Sequence, residues 1–268
     1  MKDRMKQFCL ATILIGLWSA ASASPTDHNT TLTVLTGHQT KSGSIMAGLR
    51  IDMATGWKTY WRAPGDAGIP PQITWGGSEN IGSIAFHWPV PEVFDQSGMR
   101  SIGYHDSVTV PLEIFPSGAG EIRLKGELDI GICEEICIPA TFHFDTVIPK
   151  NGKRDAAITA ALLNQPLTAA EAGVGAVTCT LEPISDGMQV TVVSELTATP
   201  DTEAIVIETA DPYVWVSEPV VSRTPSQITA TSDLIHANGN AFAVDRSGIR
   251  MTVLSRGRAV DIQGCSAP

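Results

Sequence analysis

Basic residues are scarce in this 268-residue chain, where 18 Lys and Arg stand against 28 Asp and Glu for a formal net charge of −10. That balance argues against a nucleic-acid surface or a face that binds anionic lipid. Long apolar runs are lacking too. Beyond the first two dozen residues every apolar stretch is cut by Gly, Pro, Asp or Thr well short of the roughly 20 residues that span a bilayer. Any membrane role therefore needs a partner. The chain has no Gly-x-Ser-x-Gly elbow, no His-Glu-x-x-His and no Gly-x-Gly-x-x-Gly phosphate loop. Cysteine is also sparse, five in all, and this makes the position of each one informative.

What is present begins with Lys2, Arg4 and Lys6, an apolar run from Phe8 to Trp18, and the small-residue step Ala21-Ser22-Ala23. This pattern predicts a secretory signal peptide over residues 1–23, with cleavage leaving Ser24 first and the mature protein soluble in the periplasm. An uncleaved anchor is the alternative. Cys9 lies inside the apolar run, so it cannot serve as a lipoprotein acceptor. Export leaves Cys133, Cys137, Cys179 and Cys265, an even set in an oxidising compartment. Three pairings are open, and spacing favours Cys133 with Cys137 and Cys179 with Cys265.

Period-two patterning predicts strands. Ile45, Ala47, Leu49, Ile51 and Met53 share one face opposite Arg50 and Asp52, as in a half-buried strand. From Glu121 to Ile130, apolar Ile122, Leu124, Leu128 and Ile130 alternate with charge, so a strand leads into Cys133. Between these runs, Gly56 to Pro91 is rich in Pro and Gly and reads as long irregular loops packed down by Trp57, Tyr60, Trp61, Trp75 and Trp88. After Pro149, an alanine-rich stretch predicts one short helix ending before Pro166, an inter-domain connector over 151–170. Strand-like runs return at 189–193, 204–208, 214–216 and 249–254. The expectation is an all-β protein of tandem immunoglobulin-like sandwiches, with domains at 24–150 and 171–268; closed barrels are the alternative.

The motif with recognisable chemistry is Gly131-Ile132-Cys133-Glu134-Glu135-Ile136-Cys137-Ile138-Pro139. A bridge across so small a loop gains little chain-entropy stabilisation, which weakens a structural reading and suits electron exchange. Two neighbouring thiols suffice for that chemistry, so no cofactor is required. Glu134 and Glu135 should raise the thiol pKa values by like-charge repulsion. The rival reading is a Cu(I) site that adds His105, His143 or Met99 to the thiolates. Cys179 and Cys265 are assigned a structural disulfide.

An ordered set of further motifs accompanies the cysteines: Gly56-Trp57-Lys58-Thr59-Tyr60-Trp61-Arg62-Ala63-Pro64-Gly65-Asp66, then Trp88-Pro89-Val90-Pro91, Gly103-Tyr104 and Val110-Pro111-Leu112. With them the chain resembles the amino-terminal periplasmic domain of the DsbD thiol:disulfide interchange family, on the branch of the suppressor of copper sensitivity protein B. The resemblance implies an immunoglobulin-like domain that takes electrons from a membrane-embedded reductase. It would pass them to oxidised periplasmic proteins of the thioredoxin-like or disulfide isomerase kind. It also implies that Cys137 forms the mixed disulfide and Cys133 resolves it. A cap loop would shield the pair, matched here by Phe94, Asp95, Gln96, Ser97, Gly98 and Met99. Asp95 keeps an acidic cap position, Ser97 replaces the cap aromatic, and Phe94 or Met99 could supply the shielding instead.

Overall fold

Alternation of apolar and polar side chains favours extended chain, and the computed structural model, which describes residues 30–96 and 99–268, contains nineteen strands among those residues. The predicted leader, residues 1–23, lies outside them. The first ten strands are β1 (Thr30–Gln39), β2 (Ile45–Met53), β3 (Lys58–Tyr60), β4 (Gln72–Thr74), β5 (Ser83–Phe86), β6 (Glu92–Gln96), β7 (Met99–His105), β8 (Ser107–Phe115), β9 (Ile122–Cys133) and β10 (Cys137–Ile148). They build two antiparallel sheets, ordered β1-β2-β8-β5 and β10-β9-β3-β7-β6, with β4 also on β9. A helix, α1 (Ala156–Leu163), follows.

Beyond it come β11 (Leu167–Thr168), β12 (Val177–Pro183), β13 (Met188–Glu195), β14 (Ala204–Glu208), β15 (Val214–Val216), β16 (Val220–Arg223), β17 (Gln227–His236), β18 (Arg250–Ser255) and β19 (Arg258–Gln263). Their sheets run β11-β19-β18-β14 and β12-β13-β17-β15, with β16 also on β17. Each pair of sheets closes on its own apolar cluster, giving two sandwiches of immunoglobulin-like, all-β type.

Two local expectations are corrected. The stretch from Gly56 to Pro91 is not loop throughout, because β3, β4 and β5 lie within it. Strands of three or four residues are too short to show a period, and here β9 and β8 supply the pairing partners. Likewise β2 is buried on both faces over Met46, Ala47 and Gly48, where a half-buried strand was expected. The covering group is Ile158 of α1, 1% exposed. Its side chain fits over Gly37 and Gly48, where an added Cβ would come within 3.3 Å of Cδ1 and 3.1 Å of Cγ1 respectively.

That helix, capped by the Asp155 carboxylate accepting from the backbone N–H groups of Ala157 and Ile158, is thus part of the first sandwich's packing. The sandwiches also meet each other. Ala204, Leu254 and Ala259 of the second join the first apolar cluster. Arg62 stacks on Trp61 at 3.9 Å and donates to both oxygens of Glu208 at 3.0 and 2.9 Å. In the second sandwich Cys179, fully buried on β12, is bonded to Cys265 after β19.

Candidate functional site

The β9–β10 hairpin sets Cys133 directly opposite Cys137, and the register then continues without a break to Ile122 opposite Ile148. Only Glu134, Glu135 and Ile136 form the turn, and the two cysteines are joined as a disulfide with Cα atoms 4.1 Å apart. Their surroundings differ. Cys133 is fully buried, because β3 lies along its other side with Lys58 opposite it. Cys137 opens β10, an edge strand, and is exposed together with the turn residues; Ile136 is 75% exposed. A partner thiolate can therefore approach one sulfur and not the other.

Tyr60 is the group that the sequence reading placed among packing aromatics. Its ring is 3% exposed, and its hydroxyl lies 3.0 Å from Cys133 Sγ and 3.1 Å from Cys137 Sγ. A disulfide carries no S–H, so the phenol is the donor. Its single proton has a third acceptor in the carbonyl of Ala67 at 3.4 Å. Burial holds the phenol above its ordinary pKa, so it stays a donor across the physiological range.

The room for this ring comes from Gly131. A Cβ there would stand 3.0 Å from both Tyr60 Cε2 and Ile69 Cδ1. Tyr60 lies two residues from Lys58, the residue that β3 pairs with Cys133, and so shares its face, a relation visible only once the strands pair.

The predicted cap residues sit on the neighbouring β6–β7 hairpin. Phe94 packs edge-on against His105 with centroids 4.3 Å apart, and Lys58 Nζ lies 4.9 Å from the Phe94 ring centre. Since His105, Lys58 and Cys133 are successive cross-strand partners, this cluster flanks the buried sulfur. Burial pushes the Lys58 ammonium below its ordinary pKa. Asp95 is exposed on β6, and Met99 is 58% exposed at the start of β7. Ser97 and Gly98 lie outside the described residues. Glu134 and Glu135 are exposed at the turn.

The residues weighed for copper are dispersed. Met99 and His105 occupy opposite ends of β7, while His143 faces Glu127 at 3.1 Å, far along the hairpin from the thiols. Among the described residues, no three His, Cys, Asp or Glu side chains converge on a possible metal position.

Residues 30–149 match the family described as thiol:disulfide interchange protein DsbD, N-terminal. The match is to the first sandwich, residues 30–149 of the chain. The matched stretch spans β1 to β10, so it contains both halves of the cysteine hairpin, Tyr60 and the Phe94 hairpin. A solved structure with the same fold is the N-terminal periplasmic domain of ScsB from Proteus mirabilis, at TM-score 0.65 and 22% identity, covering 92% of this chain and 97% of that one. The likeness thus extends beyond the DsbD-type residues into the second sandwich. No curated protein matches the chain significantly. The match relates the first sandwich to a thiol–disulfide exchange family, and no helix among the described residues is long and apolar enough to cross a membrane.

Proposed function

We propose that the protein is a periplasmic thiol–disulfide exchange module that cycles Cys133 and Cys137 between disulfide and dithiol. The observation that carries this reading is the unequal exposure of two bonded sulfurs that share one phenolic donor. A partner thiolate attacks exposed Cys137 Sγ; a partner–Cys137 bond forms, the Cys133–Cys137 bond breaks, and the electron pair leaves on Cys133 as thiolate. That thiolate is the strongest acceptor within reach of the Tyr60 proton, so the hydrogen bond strengthens as charge develops. The partner's second thiolate then attacks its own sulfur in the mixed disulfide and releases Cys137.

In the reverse half-cycle Cys137 attacks an oxidised substrate and Cys133 resolves the adduct. Electrons enter from a membrane-embedded reductase and leave to thioredoxin-like or isomerase-type proteins. The reading includes a leader over 1–23 and no cofactor in the exchange. It also assigns Cys179–Cys265 to holding the second sandwich.

The experiment is equilibration of the mature protein with defined thiol buffers, counting free thiols by mass, together with trapping. A reversible two-electron transition at Cys133–Cys137, with Cys179–Cys265 intact, is the expected result. Cys133→Ala should accumulate a mixed disulfide on Cys137, and Cys137→Ala should not. A pair that stays oxidised below about −300 mV behaves as a structural staple and defeats the reading. Trapping through Cys133 alone would reverse the roles.

A further inference from the structure

Between the two sandwiches lies a chamber of about 750 Å³, within the roughly 300–1,000 Å³ typical of ligand sites. One wall is the segment after β3, from Pro64 to Gln72; the other is the open side of the second sandwich. There β14 ends one sheet and β15 ends the other. Residues 205–209 and 214–219 line the chamber as unbroken runs. A strand met face-on contributes alternate residues, so unbroken runs mean that the chamber meets these strands edge-on. Among the described residues β14 pairs only with β18, which leaves one edge of N–H and C=O groups without a strand. An open edge inside a concave site is suited to an added strand.

Side chains and charge narrow the occupant further. Tyr213 and Trp215, 63% and 51% exposed, offer broad apolar surfaces along the β15 side. Of the charged groups in the lining, Arg62 is bound by Glu208 and Arg100 by Glu218, whereas Asp66 and Asp211 have no cationic partner among the described residues. The surplus is negative and selects a cationic ligand. The wall segment also has a second side: Ala67 accepts from the Tyr60 hydroxyl, and Ile69 packs at Gly131 beside the disulfide.

We propose that this chamber binds an extended polypeptide segment carrying Lys or Arg, added as a strand to the free edge of β14. The segment belongs to the protein whose disulfide is exchanged at Cys137, a clause that rests on the function proposed above. Strand addition supplies affinity that tolerates varied sequence, since main-chain groups are common to all substrates. One loop then backs both the bound segment and the reacting sulfurs.

The test uses a fluorescent, cysteine-free ten-residue peptide of alternating Thr and Val with Lys at each end. The protein is the full mature chain bearing Cys133→Ser and Cys137→Ser, so binding is measured without exchange. Saturable binding is expected. It should weaken at least tenfold on Trp215→Ser, on Asp66→Lys with Asp211→Lys, and on N-methylation of alternate peptide amides. Replacing the terminal lysines by glutamates should weaken binding to the parent and restore it to the charge-reversed variant. All three positions are exposed, and an unchanged melting temperature confirms that the variants fold.

Absence of saturable binding, or binding indifferent to N-methylation or to Trp215→Ser, overturns the inference. A disulfide substrate extended by the Lys-ended strand should be reduced with at least tenfold higher kcat/KM than one without it, and Trp215→Ser should remove the gain. Exchange of the native cysteines with a small dithiol tests the redox function separately. Exchange without peptide binding removes only the chamber, whereas peptide binding without exchange removes the substrate assignment.

Discussion

Replacing Tyr60 by Phe isolates the hydroxyl that faces both sulfurs. The ring, 3% exposed and seated against Gly131, is kept, and what disappears is one donor at 3.0 Å from Cys133 Sγ. A hydrogen bond to a charged acceptor contributes about 1.5–3 kcal/mol, and one pKa unit corresponds to about 1.4 kcal/mol. The Cys133 thiol should therefore rise by about 1–2 pKa units. If about half the charge has reached Cys133 at the transition state, about 0.8–1.5 kcal/mol of stabilisation is lost there, and attack on Cys137 slows roughly four- to twelvefold.

The disulfide form loses only a weak share of the same bond, because the sulfurs of a disulfide are neutral acceptors. The fold should lose no more than about 1 kcal/mol. Thiolate absorbance against pH in the reduced protein gives the first quantity, and single-turnover reduction by excess dithiol followed by mass gives the second. A Cys133 pKa that does not rise, with an unchanged reduction rate, would refute the assignment of Tyr60 as the donor to the leaving thiolate.

Other consequences are equally direct. Lys58→Met removes the cation cross-strand from Cys133 and should raise that thiol's pKa by about one unit, read by the same absorbance titration. Replacing Cys179 and Cys265 by Ser opens a link of sequence separation 86. In the chain-entropy model this costs about 4–5 kcal/mol, visible in urea unfolding, while exchange at Cys133–Cys137 should persist. Burial pushes Glu203 upward, but donation from Arg223 and from the Thr199 N–H outweighs it, and its pKa lies below the ordinary value. A depressed carboxylate stabilises above its unfolded pKa and loses that contribution as pH falls through the folded one. Glu203→Gln should therefore destabilise by about 1–3 kcal/mol at pH 7, and the difference should shrink below about pH 4.5. A gap that stays constant into acid would show that the effect is packing.

The elements legible in the sequence are those whose pattern is local. β2, β14 and β15 lie at the bounds that alternation alone suggests, and β9 runs into Cys133 as the alternating run of Ile and Leu requires. What escaped is set by neighbours distant in the chain. β3 is three residues long and is a strand only because β7 and β9 flank it. Nothing local marks Tyr60 as different from Trp61 beside it, although one touches both sulfurs and the other is sealed in the core. The docking of α1 on Gly37 and Gly48 is hidden for the same reason: two glycines in separate strands become a seat only after pairing. The charge surplus of the chamber needs the long-range matches of Arg62 with Glu208 and Arg100 with Glu218 before it can be seen.

Register makes the disulfide at this position dispensable to the fold, as the proposed exchange requires. Backbone pairing runs from Cys133–Cys137 to Ile122–Ile148, the full length of both strands, and β3 and β4 pair with the other side of β9. The hairpin is thus held by its ladder and by Ile122, Leu124, Leu128 and Ile130 in the core. The bridge closes a turn whose ends that ladder already brings together, so it removes little further chain entropy. Reduction accordingly leaves the fold's own interactions in place. The opposite holds for Cys179–Cys265, which joins β12 to the segment after β19 across a loop of much greater length. Loop length, the exposure of Cys137 against half-buried Cys265, and the presence of a donor such as Tyr60 all separate the two bridges in the same direction. On that physical ground the proposed exchange is assigned to the short one.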